Sequence, residues 1–433
     1  MNSKELYNVF LDSAGVITDS RIDAPGKIFF ALRGNSFDGN CFVDDALSNG
    51  CSFAVIDNKD HAVSGKTILV SNVLDSLQML ARHHRQQFDI PVFAITGSNG
   101  KTTTKELIKT VMSSRFETLA TSGNLNNHIG VPLTLLELNS SHQFAVIEMG
   151  ANHQGEIASL CEIAMPTHGL ITNIGTAHLE GFGSKEGVLR AKGELFVYLK
   201  KKGGKAFFNY DRNELRNLVL ELDLDYISYG SGADRFVSGI LLDSHDRLEL
   251  VISVNEHNEY FVLKTNLPGA YNFENVLAAV CSGIWFGISS RQIKKAIEEY
   301  YPVNNRSQIF ETSQNRLLLD AYNANPDSMR AAIQSFSSMP GDNKSVILGD
   351  MLELGEYADD EHKKVIEILK AHDFREVILV GCVFFNIPSP KEYLHLENSD
   401  KLIEWLTHNP LRNRFILLKG SRGVKLEMCI SVL

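Results

Sequence analysis

Residues 96–103 read Thr-Gly-Ser-Asn-Gly-Lys-Thr-Thr, and no other stretch of the chain is better suited to chemistry on phosphate. Gly97 and Gly100 let the backbone turn so that the N–H groups of Ser98, Asn99 and their neighbours converge on phosphate oxygens. A helix start adds the positive end of its dipole, Lys101 supplies a point charge, and the Thr102 hydroxyl, with Thr103 beside it, can ligate Mg²⁺. The loop is shorter than the G-x-x-x-x-G-K-[ST] form, because position 95 is Ile. The competing reading is a plain strand-to-helix turn. A buried strand before the loop and Lys-Thr-Thr at the helix start favour a nucleoside triphosphate with Mg²⁺.

Three further groups belong to the same sheet edge if the strands run parallel, since ligands of such sheets bind beyond the carboxyl ends. Glu148 closes an apolar run at 144–147, so its carboxylate is expected to reach the nucleotide's metal. Taken alone, a strand-end Glu is a surface group; paired with a phosphate loop it becomes a ligand candidate. His178 follows the run 169–173 on a glycine-containing loop, where a neutral imidazole could hold a second ion or simply pack. Lys192 falls inside a helical stretch, and sequence physics alone makes it a solvated helix lysine.

The elements that must position these groups alternate in type. Strands are expected at 27–32, 53–57 and 67–70 with helices at 43–49 and 73–84, a small α/β unit. A second unit carries buried strands at 92–96, 144–148, 169–173 and 205–209, then period-two runs over 236–264 that suggest antiparallel hairpins, then helices at 271–286 and 290–299. A third has strands at 317–321, 345–348, 377–380 and 415–418 separated by helices at 328–336, 361–371 and 401–407. This predicts three α/β domains, at 1–88, 89–304 and 305–433, the last two with mostly parallel sheets.

Composition narrows the function. With 433 residues, a formal charge of −10 and no basic block, the chain does not suit a nucleic-acid partner. Its densest basic run, Lys200, Lys201, Lys202 and Lys205, sits where a helix is expected to end, a dipole-favoured place for cations. The six cysteines lie far apart with no metal-ligand spacing. No signal-like or membrane-spanning run is visible, so a soluble, cytoplasmic protein is expected.

Nine motifs in order carry a resemblance: 96–106 (TGSNGKTTTKE), 123–134 (GNLNNHIGVPLT), 148–157 (EMGANHQGEI), 172–183 (TNIGTAHLEGFG), 191–195 (AKGEL), 268–279 (PGAYNFENVLAA), 320–329 (DAYNANPDSM), 348–355 (LGDMLELG) and 418–427 (LKGSRGVKLE). Together they resemble the Mur ligase family. The resemblance implies an N-terminal domain for a UDP-linked precursor, a central P-loop ATPase domain and a C-terminal Rossmann-like domain. It implies an ATP- and Mg²⁺-dependent amide ligase that joins D-alanyl-D-alanine to a UDP-N-acetylmuramoyl-tripeptide through an acyl phosphate. It further implies that Lys101 and Thr102 contact phosphate and metal, that Glu148 and His178 are metal ligands, and that Lys192 is carbamoylated to become another. Asn275 resembles an adenine contact, and Arg306 and Asp320 resemble nucleotide contacts of the third domain. Ser20 and Arg21 mark the uridine side, Asn126 and Asn127 the precursor's peptide arm, and Asn323 and Asn325 the dipeptide pocket. The Asn-Ala-Asn-Pro turn would equally serve to start a helix. The nearer alternative, a relative that adds a single amino acid, typically carries Asp-Asn-Pro-Arg where this chain has Asn323-Ala324-Asn325-Pro326; an ATP-hydrolysing switch module is the more distant one. A monomer is expected.

Overall fold

In the computed structural model, which describes residues 3–176, 179–244, 246–303 and 305–433, the strands form sheets of four, nine and six members. The first sheet is parallel, with Val16–Ile17, Ile28–Phe30, Phe53–Ile56 and Thr67–Leu69 side by side in chain order. The helix Val73–Arg85 leaves it, capped at its start by the Asn72 side chain on the Asp75 N–H.

The second sheet explains where chemistry is possible. Val92–Thr96 lies third from one edge, with Phe144–Glu148 on one side and His168–Ile171 on the other, all parallel. The chain moves first to one flank and then to the other. A crevice therefore opens at the carboxyl ends of Val92–Thr96 and His168–Ile171, where the order reverses. Alternate residues of the central strands enter two different cores: Ala94, Ala145, Ile147 and Ile171 pack on one face, and Phe93, Ile95, Val146 and Leu170 on the other. A sheet buried on both faces demands such continuous apolar strands. On the second face, Leu107, Ile108, Val111 and Met112 of the helix Lys101–Met112 meet the almost wholly buried helix Phe273–Trp285. Val237–Asp243, Glu249–Val254 and Glu259–Lys264 extend the sheet as the expected antiparallel hairpins.

The third sheet is parallel except for its edge strand Gln308–Glu311. Arg316–Asp320 and Phe415–Lys419 are neighbours in a register that pairs Asp320 with Lys419 at their carboxyl ends. Helix Pro326–Ser338 follows the first of these strands, with Pro326 at its start and a reciprocal cap between Asn325 and Ser328.

Candidate functional site

The loop after Val92–Thr96 is held in a conformation that only glycine fits. Gly97 has φ +140°, and a Cβ there would lie 2.0 Å from the Thr172 hydroxyl oxygen; Gly100 has φ +78°, and a Cβ there would lie 2.4 Å from Asn275 Oδ1. Lys101 opens the helix and folds back, donating from Nζ to the carbonyls of Gly97 (2.7 Å) and Ser98 (3.2 Å). Burial lowers its pKa, and Arg306 lowers it further, while Glu148 opposes the shift. Thr102 and Thr103 are buried at the head of the helix.

The loop after His168–Ile171 grips this one. Asn173 accepts from the Ser98 N–H at its carbonyl (3.0 Å) and from the Asn99 N–H at Oδ1 (3.0 Å). The Thr172 hydroxyl and the Asn173 amide both donate to the Asn99 carbonyl, and the Gly175 N–H donates to Ser98 Oγ (2.9 Å). The two loops therefore form one hydrogen-bonded unit. His178, two residues beyond it, lies outside the described residues.

Glu148 ends its strand 2% exposed. Oε1 accepts from Asn126 Nδ2 (2.8 Å), whereas Oε2 is buried with no hydrogen-bond partner among the described residues. An orphaned buried carboxylate oxygen is costly, so its presence asks for a ligand. Asn126 is fixed in turn by the Gly150 N–H on its carbonyl (2.8 Å). The Asn127 side chain accepts from the N–H groups of Ile129 and Gly130, which starts the following helix. Both asparagines line the same cleft as the phosphate loop.

Lys192 corrects the expectation of a solvated helix lysine. It is 2% exposed, its ammonium donates to the Ala151 carbonyl (3.0 Å), and it lies 5.0 Å from the Phe182 ring centre. Desolvation, with the nearby Lys101 charge as the next cause, brings its pKa down to about 7 against the pull of Glu156 and Glu194. The signal was present: Val188, Lys192, Leu195 and Leu199 share one stripe of the helix Lys185–Lys202, the stripe that is buried.

A cleft of 1420 Å³, lined by Lys101, Thr102 and Glu148 but not by Lys192, reaches the third sheet's carboxyl edge, where Arg306, Asp320, Asn323 and Asn325 line it. Arg306 stacks on Tyr322 at 3.9 Å, and its buried Nε has no hydrogen-bond partner among the described residues. Asp320 accepts from Lys419 Nζ (2.6 Å) and from the Ser307 N–H (3.3 Å). Asn323 Oδ1 accepts from the Ala324 N–H. Asn325 does what a helix start requires and also reaches the phosphate loop, Nδ2 donating to Asn99 Oδ1 (2.7 Å). Asn275 has both ends of its amide engaged, accepting from the Thr104 hydroxyl (3.0 Å) and donating to Asn272 (2.9 Å), so it braces the underside of Gly100.

Ser20 and Arg21 are not among the residues lining the cleft. The Ser20 carbonyl accepts from Asn49 Nδ2, and the exposed Arg21 pairs with Asp19 at 2.7 Å. From the first unit it is Leu74 and Gln78 that reach the cleft, with Gln78 donating to the His128 carbonyl. Asp327, Thr176 and Arg422 also line it; they fall inside the motifs 320–329, 172–183 and 418–427 but were not singled out there, because their partners are distant along the chain.

Comparison with known proteins agrees with this geometry. Residues 95–283 match the Mur ligase middle domain and residues 305–422 match the family's glutamate ligase domain. The chain is 36% identical to the UDP-N-acetylmuramoyl-tripeptide–D-alanyl-D-alanine ligase of Escherichia coli, over 99% of its own length and 95% of the relative's. The enzyme of the same name from Bacillus subtilis is 33% identical over 95% and 91%. Among solved structures, MurF from Acinetobacter baumannii superposes with a TM-score of 0.86 at 29% identity, covering 99% and 98% of the two chains. MurF from Thermotoga maritima in complex with ADP gives 0.85 at 27%, covering 98% and 97%. Sequence identity over nearly the whole length, the two domain matches and the shared fold converge: this chain belongs to the Mur ligase family of ATP-dependent amide-forming ligases.

Proposed function

We propose that this protein is the ATP-dependent ligase that joins D-alanyl-D-alanine to a UDP-N-acetylmuramoyl-tripeptide in peptidoglycan precursor synthesis. One observation carries the reading: a single cleft runs from a phosphate loop to the carboxyl edge of a second doubly wound unit, so nucleotide, precursor and acceptor can meet there. Relatives that carry this activity by name match over nearly the whole chain. In the proposed division, residues 1–88 hold the UDP part of the precursor, 89–304 bind ATP, and 305–433 bring the dipeptide and cover the nucleotide.

A carboxylate is a poor electrophile towards an amine in water. Transfer of the γ-phosphoryl group to the precursor's terminal carboxylate makes an acyl phosphate, and the free amine of the dipeptide then displaces phosphate from the acyl carbon. The carboxylate and the γ-phosphate repel each other, so fixed positive charge must hold them together. Lys101 and the N–H groups of 100–102 are assigned that task, since the N–H groups of Ser98 and Asn99, expected from the sequence to face phosphate, are taken by Asn173; turning the Lys101 ammonium from the Gly97 and Ser98 carbonyls to phosphate exchanges one set of acceptors for a charged one.

Thr102 and the orphaned Glu148 oxygen would hold Mg²⁺, a cation that prefers hard oxygen ligands. When bound, Mg²⁺ neutralises charge developing on the transferred phosphoryl group. Lys192 is assigned as a further ligand after modification. With a pKa of about 7 a large share of its amine is neutral near neutrality, and R–NH₂ + CO₂ gives R–NH–COO⁻ with release of one proton. His178 keeps its assignment as a metal ligand, and Asn126, Asn127, Asn323 and Asn325 theirs towards precursor and dipeptide; Ser20 and Arg21 are assigned to the uridine end. The proposed location is the cytoplasm, where nucleotide-linked precursors are made, and the proposed state is a monomer; no helix among the described residues is long and apolar enough to cross a membrane.

A substrate panel tests the function. Phosphate release should require ATP, the tripeptide precursor and D-alanyl-D-alanine together, with one phosphate per amide formed. Equal turnover with single amino acids in place of the dipeptide would move the protein to another branch of the family, and substrate-independent hydrolysis would make it a switch module.

A further inference from the structure

One contact between the second and third units belongs to none of the roles above. Asp327, in the first turn of the helix Pro326–Ser338, accepts two hydrogen bonds at Oδ2 from a residue 151 positions earlier: the Thr176 N–H at 2.7 Å and the Thr176 hydroxyl at 2.9 Å. Its other oxygen lies 3.6 Å from Arg330. Gly175 makes the approach possible, since a Cβ there would lie 2.7 Å from Asp327 Oδ2. Thr176 ends the 172–176 segment that is bound to Ser98 and Asn99, and beside it Asn325 donates to Asn99 directly. The head of one helix in the third unit is therefore fastened to the phosphate loop twice, once directly and once through Thr176.

We propose that Asp327 is a positioning residue of the ligation reaction: it latches the third unit onto the 172–176 segment, so that the acceptor-bearing unit is seated against the same hydrogen-bonded assembly that holds the phosphates. This rests on the ligase reading. An acyl phosphate exposed to water is cleaved to carboxylate and phosphate, consuming ATP without making an amide. A unit that swings away from the loop admits that water and takes the attacking amine out of line. A charged acceptor of two hydrogen bonds is among the stronger single contacts available across such a joint. It is also separable from folding: the Asp327 side chain is a third exposed, and the helix keeps its cap at Asn325 without it.

The test uses the full chain with ATP, Mg²⁺, tripeptide precursor and dipeptide, measuring amide product and released phosphate together, and nucleotide affinity separately. D327A is expected to lower amide formation about tenfold, equivalent to about 1.4 kcal/mol. Phosphate released per amide should rise above one while nucleotide affinity stays unchanged. T176V, which removes only the hydroxyl donor, should move both readouts the same way by less, and the double variant should be no worse than D327A alone. It also stands in should D327A fail to fold. A label pair across the second and third units should report a longer mean separation in both variants. Wild-type rate, coupling and separation in the variants would overturn the latch. So would a loss of ligation that merely follows a loss of nucleotide affinity. If the wild-type protein itself makes no amide, the ligase reading falls and the latch with it; if the wild type ligates and only the variants fail to differ, the latch falls alone.

Discussion

Lys101→Ala is expected to abolish ATP-dependent phosphate release, with turnover falling by at least about a thousandfold, or about 4 kcal/mol of transition-state stabilisation. The size follows from position. Lys101 brings its charge to the strand end where Gly97 and Gly100 curve the backbone, and it is seated 2.7 Å from a carbonyl of that same loop. Among the described residues no other lysine donates to this loop: the neighbouring Lys105 is fully buried, donating to the Thr121 carbonyl and pairing with Glu106. Arginine is not an adequate replacement, since its planar fork is larger and cannot occupy the site as a point charge. Lys101→Arg should therefore recover little of the rate. The check is phosphate release at saturating substrates, with circular dichroism to establish folding. Turnover within tenfold of wild type in the alanine variant would remove the phosphate loop from the mechanism.

Lys192→Ala is expected to lower kcat by about a hundredfold or more while nucleotide affinity stays within a few-fold, the pattern of a group that acts in the transition state. Lys192 reaches no phosphate-loop atom; its ammonium meets the Ala151 carbonyl and the Phe182 ring in a buried pocket. The lowered pKa gives the pH dependence a definite sign. CO₂ uptake needs the neutral amine, so at limiting CO₂ the wild-type rate should climb as pH passes upward through about 7, and added bicarbonate should raise it most on the acid side. The alanine variant should respond to neither. Folding stability follows the same group: its folded-state pKa lies below the ordinary 10.5, so the unfolded chain binds more protons between these values. This group's contribution therefore makes stability rise with pH from about 7 towards 10.5. Bicarbonate-insensitive turnover of the wild type, with Lys192→Ala nearly as active, would exclude the role.

What could be read from the sequence follows from how local each signal is. The phosphate loop was legible because three local features coincide: an apolar strand that the structure places at Val92–Thr96, two glycines with positive φ, and an amphipathic helix beginning at Lys101. The strands Phe144–Glu148 and Lys205–Asn209 were equally legible as buried apolar runs. Thr118–Ala120 and Leu394–Leu396 were not, since neither three-residue stretch belongs to a sustained apolar run as Thr67–Leu69 does. Lys192 shows a different limit. Its place on the stripe of Val188, Leu195 and Leu199 was available, but charge outweighed spacing as long as nothing indicated what the lysine would face. The contacts of Asp327 with Thr176 and of Asn325 with Asn99 depend on how one unit docks on another, and no window of sequence contains both partners. Ser20 and Arg21, marked by motif for the uridine end, are not among the residues that line this cleft.

The central claim is that the precursor's carboxylate attacks phosphorus before the amine attacks carbon, and an oxygen label follows that event directly. With both oxygens of the tripeptide's terminal carboxylate carried as ¹⁸O, each amide formed should send one labelled oxygen into the released phosphate and keep the other as the amide carbonyl. Amide product accompanied by phosphate free of label would contradict the account, whatever the rates of the variants.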